Sequence, residues 1–145
     1  MINDRRQLAD VFQQTIDIVQ EGNYTSVNGE EVELLDNEAM LKGSRFYTKA
    51  LDATSIPTIE GETKIIVEND DSIHCGHQLQ KEGYNPMVLN LASRRNPGGG
   101  VLNGSRAQEE SLFRCTNLFL SMYRYASYAE EYGPVSYTHL RAHET

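Results

Sequence analysis

Four glycines fall between an apolar run and the start of a helix-period segment, and that succession constrains the chain more than any other feature. Residues 86–93 contain Met-Val-Leu-Asn-Leu-Ala, a continuous apolar stretch of strand length. Such a run predicts a strand covered on both faces within a mixed or parallel sheet. Residues 94–106 follow with Gly98, Gly99, Gly100 and Gly104, which allow backbone conformations and close approaches closed to other residues. Beyond them Leu112, Cys115, Phe119, Met122 and Ala126 recur every three or four positions, the spacing of one long amphipathic helix with Cys115 on its apolar stripe. Ser105-Arg106-Ala107-Gln108 has the form of a capping box at that helix's start. A strand, a glycine loop and a helix start in this order predict an α/β fold and a place that can hold a ligand.

The rest of the chain supplies further elements. Residues 4–21 carry Leu8, Val11, Phe12, Ile16 and Val19 at helical spacing, with Gly22 as the stop. Asn28-Gly29, between stretches containing Tyr24, Val27, Val32 and Leu34, predicts a two-residue hairpin turn. Residues 37–50 read as a second helix, 64–68 (Lys-Ile-Ile-Val-Glu) as a strand, and 70–81 as a third helix, capped by Asp70, Asp71 or Ser72 and ended by Gly83. A chain of 145 residues is one domain's length, able to bury a core without a disulfide or structural metal. Cys75 and Cys115 then read as free thiols. There is no run of about 18 apolar residues and no apolar stretch after Met1, so the expectation is a cytoplasmic protein that does not enter a membrane. Residues 135–145, including Ser136-Tyr137-Thr138-His139-Leu140, resemble a translated sequencing-adapter tail and are expected to be non-native, which leaves 1–134 as the domain.

Charge is unevenly spread. The chain carries −8 overall, yet residues 86–126 hold five Arg against two Glu while residues 1–85 hold seven basic against sixteen acidic side chains. An anion bound at the glycine loop finds local complementarity there. Arg94 and Arg95 are candidate phosphate contacts or simply solvated loop residues. The acidic total argues against direct DNA binding, which depends on basic side chains neutralising phosphates.

Gly98-Gly99-Gly100 follows Asn96-Pro97 and precedes Gln108-Glu109-Glu110 by seven residues. Consecutive glycines let a backbone approach a ligand and aim its N–H groups at phosphate. The loop is neither a Walker loop nor a Rossmann turn. Acidic residues in a first helical turn also complement the helix dipole, so the pair alone has a structural explanation. The whole string, Asn90-Leu91-Ala92-Ser93-Arg94-Arg95-Asn96-Pro97-Gly98-Gly99-Gly100-Val101-Leu102-Asn103-Gly104-Ser105-Arg106-Ala107-Gln108-Glu109-Glu110, resembles the signature of the microbial-type poly(ADP-ribose) glycohydrolases. The resemblance implies a macrodomain-like mixed sheet flanked by helices over residues 1–134, incomplete because the family places further strands beyond this chain. It implies hydrolysis of ribose–ribose glycosidic bonds in poly(ADP-ribose) with release of ADP-ribose. Glu110 would be the catalytic acid/base and Glu109 would position the terminal ribose, while Asn96, Gly98, Gly99, Gly100, Val101 and Gln108 would bind substrate. No metal and no cofactor are implied. The expected partners are ADP-ribose or its polymer, including polymer on ADP-ribosylated proteins, and the expected state is a monomer.

Elementary geometry supports a single acid/base. Glycosidases with two carboxylates set them about 5 to 10 Å apart across the bond, whereas consecutive helical residues diverge by about 100°. A helix N-terminus favours the charged carboxylate; burial, a neighbouring Glu and the substrate's diphosphate favour the protonated one, so substrate is expected to load the proton. Two other classes compete: a non-hydrolytic ADP-ribose-binding module, and an inactive truncated fragment. His74-Cys75-Gly76-His77 falls short of a zinc set, Cys75 and Cys115 are weak candidates for a nucleophile, and Tyr123, Tyr125, Tyr128 and Tyr132 read as helix packing rather than a stacking array.

Overall fold

A computed structural model of the chain describes residues 4–35, 37–47, 49, 52, 54, 57, 60–93 and 96–124, and the backbone of 138–141. Helix α1 (Arg5–Glu21) begins at Asp4, whose carboxylate accepts from Arg6 N, and ends at Gly22, whose φ of 79° lets its N–H reach Ile18 O. Phe12 and Val19 are its buried face. Strands β1 (Asn23–Thr25) and β2 (Glu31–Glu33) pair antiparallel, with Tyr24 opposite Val32. The hairpin forms, but its turn is longer than two residues: Ser26 N donates to Glu30 O at 2.7 Å and Gly29 N to Ser26 O at 2.9 Å. Only Gly29 takes a positive φ, 82°, so Asn28 does not play the part expected of it.

Helix α2 (Asn37–Gly43) is half its expected length, and just beyond it the Ser44 hydroxyl turns back onto Met40 O at 2.9 Å and meets Ser121 Oγ at 2.6 Å. Its expected end at Ala50 lies outside the described residues. The strand expected at 64–68 does not form. Ile65 and Val67 are 85% and 91% exposed, and among the described residues no strand lies beside them to complete a ladder. Helix α3 (Ser72–Lys81) starts on Asp71, which accepts from Ile73 N and His74 N. It presses on strand β3 (Met87–Asn90) through Gly76, where a Cβ would stand 2.8 Å from Val88 Cγ2.

Along β3 the side chains alternate: Met87 and Leu89 are exposed, whereas Asn90 is fully buried. The expectation of cover on both faces is therefore corrected to cover on one. Strand β4 (Thr138–Arg141), within the segment set aside from the sequence, pairs antiparallel with β3. The molecule mixes helices and strands in an α/β fold with small sheets flanked by helices, and both strand pairs among the described residues are antiparallel.

The long helix is two. Helix α4 (Gln108–Cys115) and helix α5 (Leu118–Tyr123) are separated at Thr116, whose backbone is extended at φ −144° and ψ 169°. Its hydroxyl donates to Leu112 O at 2.8 Å and accepts from Leu118 N at 3.2 Å. Both halves still face one core, in which Phe12 meets Phe119 edge-on at 5.6 Å and Phe113 at 5.9 Å. Cys115 is exposed rather than buried, because α4 buries the face that carries Glu109, Leu112 and Phe113, and Cys115 lies on the opposite side of the helix. Among the described residues no helix is long and apolar enough to cross a membrane.

Candidate active site

The glycine loop ends in a 3-10 turn (Val101–Asn103) and is anchored at Gly104, where φ is 67° and a Cβ would fall 1.9 Å from the Arg5 carbonyl oxygen. The start of α1 thus fixes the loop's end, and α4 begins four residues later. The capping box does not form: Ala107 is the N-cap and makes no side-chain cap bond. Gln108 reaches elsewhere, accepting from Leu91 N at 2.9 Å and donating to Leu89 O and Ser72 Oγ.

Glu109 and Glu110 are 2% and 6% exposed, and the loop folds directly onto them. Glu109 Oε1 accepts from Gly98 N at 2.9 Å and its Oε2 from Ser93 N at 2.7 Å. Glu110 Oε1 accepts from Gly100 N at 2.9 Å, while its Oε2 is buried with no hydrogen-bond partner among the described residues. Gly99, at φ 54°, would place a Cβ 2.5 Å from Glu110 Oε1, so a side chain here would be strained and would push on the carboxylate. Gly98 and Gly100 are crowded in the same way, by the Phe113 ring and by Ser105 Oγ.

The expectation that the loop's N–H groups stand open for a diphosphate is not met in this structure. Gly98 N and Gly100 N point at the two carboxylates, Gly99 N donates to Asn96 O at 2.8 Å, and Val101 N donates to Gly98 O at 3.0 Å. The loop is an anion cradle already filled by the protein's own carboxylates. Burial raises the Glu109 carboxyl above the usual carboxylate range, against the pull of its two backbone donors, and the Glu110 charge adds to the rise.

Of the other sequence candidates, Val101 is buried in the core and Asn96 is exposed, its N–H on Ser93 Oγ at 3.2 Å. Sequence reasoning missed two groups. Ser93 supplies a donor to Glu109, and Tyr123, edge-on to Phe113 at 5.6 Å, has its hydroxyl pushed up by burial and by the Glu109 charge. No spacing rule links Tyr123 to Glu109 across a broken helix. Asn90 Oδ1 is a second buried oxygen without a partner among the described residues, its Nδ2 lying 3.5 Å from Met122 Sδ.

A largely apolar hollow of about 280 Å³ between α3 and β3 is lined by Ser72, Cys75, Leu79, Met87, Leu91 and Gln108. It adjoins the site through Gln108, without Glu109 or Glu110 in its wall. His74 pairs with Asp70, and among the described residues no three His, Cys, Asp or Glu side chains gather to hold a metal ion. The Cys75 thiol is pushed up by burial and by the charges of Asp70, Glu68 and Asp71, the reverse of what a nucleophile needs. Arg94, Arg95, Tyr125, Tyr128 and Tyr132 lie outside the described residues.

The family described as the microbial-type PARG catalytic domain matches residues 12–142. Two crystal structures from Thermomonospora curvata share the fold: poly(ADP-ribose) glycohydrolase (PARG), at TM-score 0.66 and 23% identity, and the same enzyme bound to the inhibitor ADP-HPD, at 0.67 and 24%. Each likeness covers 87% of this chain but 50% and 48% of the respective structure, so the chain spans about half their length. No curated protein matches the chain.

Proposed function

The chain belongs to the microbial-type poly(ADP-ribose) glycohydrolase catalytic-domain family, and from that membership we propose that its site hydrolyses the ribose–ribose bonds of poly(ADP-ribose), with Glu110 as the single acid/base. The observation that carries this reading is the Glu110 carboxylate itself. One oxygen is fixed by Gly100 N–H, while the other is buried and unpartnered among the described residues, a costly state for a polar atom that a substrate oxygen would relieve. Glu109 has both oxygens committed to backbone donors and so serves to hold the loop, and it orients the terminal ribose through the lone pairs that remain.

In the proposed cycle protonated Glu110 gives its proton to the departing ribose oxygen as the glycosidic bond breaks. The cationic sugar left behind is stabilised by the substrate's own diphosphate. Glu110, now a carboxylate, takes a proton from water while the water oxygen bonds to the anomeric carbon, and the acid is restored. The scheme uses no metal and no cofactor. The glycine loop, with Asn96, Gly98, Gly99, Gly100 and Val101, is the binding wall for the diphosphate. A phosphate oxygen that takes Gly100 N–H must displace Glu110 Oε1 from it.

Further parts of the reading are a macrodomain-like domain whose N-terminal part is residues 1–134, a non-native tail at 135–145, a cytoplasmic monomer, and ADP-ribose or its polymer, including polymer on ADP-ribosylated proteins, as partners. ADP-HPD, bound by the Thermomonospora enzyme, is expected to compete for this site. The test is to incubate the chain with poly(ADP-ribose) and separate free ADP-ribose from polymer. Release that ADP-HPD suppresses supports the reading; binding without release assigns the site to a non-hydrolytic binding module.

A further inference from the structure

The side-chain amide of Gln108 ties three elements together. Its Oε1 accepts from Leu91 N at 2.9 Å, and its Nε2 donates to Leu89 O at 3.0 Å and to Ser72 Oγ at 3.1 Å. A glutamine amide has two N–H donors and one carbonyl oxygen, so both donors are spent and a single lone pair is left. Leu89 and Leu91 flank buried Asn90 at the end of β3, Ser72 opens α3, and Gln108 opens α4. The amide therefore clamps the end of β3 to the start of α4. Two residues beyond Leu91, Ser93 N–H meets Glu109 Oε2 at 2.7 Å, and the glycine loop follows.

We infer that Gln108 is a positioning residue: it sets the separation of β3 and α4 at which Ser93 and the glycine loop reach the Glu109–Glu110 pair, and it does not bind substrate. Both of its donors are spent inside the protein and its carbonyl oxygen already serves Leu91 N, so the amide is committed to the clamp. The inference rests on the glycohydrolase reading of the site, and its test separates the two.

Gln108→Met keeps the side chain's length and removes all three hydrogen bonds; Gln108→Glu keeps the acceptor for Leu91 N and removes both donors. Both variants and the wild type are compared by hydrogen exchange at the Ser93, Gly98 and Gly100 amides, and by steady-state release of ADP-ribose from poly(ADP-ribose). In Gln108→Met, exchange at Ser93 is expected to quicken by at least about tenfold. Its kcat is expected to fall at least about tenfold with KM within about twofold, and Gln108→Glu to lie between it and the wild type. A KM that rises while kcat is kept identifies a substrate contact and overturns the inference. Unchanged exchange at all three amides in both variants overturns it as well, whatever the activity. If Gln108→Met fails to fold, Gln108→Glu carries the same comparison. A wild type that releases no ADP-ribose defeats the glycohydrolase reading, while exchange at Ser93 still decides whether Gln108 holds the carboxylate pair in place.

Discussion

Gly99 leaves 2.5 Å between the place of a missing Cβ and Glu110 Oε1, at a φ of 54° that side chains rarely adopt. Valine there must push either the loop or the carboxylate away. Gly99→Val is therefore expected to weaken ADP-ribose binding at least about tenfold, roughly 1.4 kcal/mol, in calorimetry; unchanged affinity would take the ligand out of this loop. The neighbouring carboxyl has its own signature. Burial holds Glu109 above the usual carboxylate range, so the folded state binds that proton more tightly than the unfolded chain does. The stability this supplies is fully present below the unfolded carboxylate value and is lost as pH rises through the raised folded value. Glu109→Gln cannot titrate, so the melting-temperature gap between wild type and variant should move in the wild type's favour from about pH 7 to about pH 5. A constant gap contradicts a raised Glu109. Sequence spacing set Gly98–Gly100 close to the two Glu, because a short loop leading into a helix start leaves them little choice, while their roles came from the family resemblance. It could not show that the loop's donors are spent on those carboxylates, nor that Gln108 turns to Leu89, Leu91 and Ser72, since those partners arrive only with tertiary packing.

At the level of elements, apolar periodicity identified helix faces well and helix ends poorly. Leu112, Phe119 and Met122 all line the core, yet the single helix expected to join them breaks at Thr116. The period carries across because both halves pack on Phe12, so the pattern is blind to the break; the signal was the hydroxyl of Thr116, which can cap the turn on either side of itself. Thr116→Ala should lower stability by about 1 kcal/mol, as removal of a helix cap does, and shift the urea midpoint accordingly. An unchanged midpoint would mean that the break is held by packing alone. Some local caps were legible: Gly22 ends α1 as read, and Asp71, one of three candidates, starts α3, whereas the capping box at Ser105–Gln108 did not form. The stretch at 64–68 failed for the opposite reason. Its composition is that of a strand, but a strand is completed by a neighbour, and the sequence does not state which segment that would be.

Over the whole molecule, three elements converge to make one site. Helix α1 fixes Gly104, β3 brings Ser93, and α4 brings the carboxylates, so the glycine loop is held at both ends and along its middle. The chain spans about half the length of the two structures that share its fold, and Met87 and Leu89 on β3 and Leu91 just beyond it stand 65%, 47% and 67% exposed beside the site. The central claim is narrower than the fold: proton transfer belongs to Glu110, through the oxygen that the structure leaves buried and unpartnered among the described residues. The most direct measurement is ADP-ribose release from poly(ADP-ribose) by wild type and Glu110→Gln, with ADP-ribose affinity determined for both. The account predicts that the amide, which keeps the shape and the bond to Gly100 but has no proton to give, lowers turnover by at least roughly 10² to 10⁴ while affinity is nearly kept. Turnover by Glu110→Gln equal to that of the wild type would contradict it.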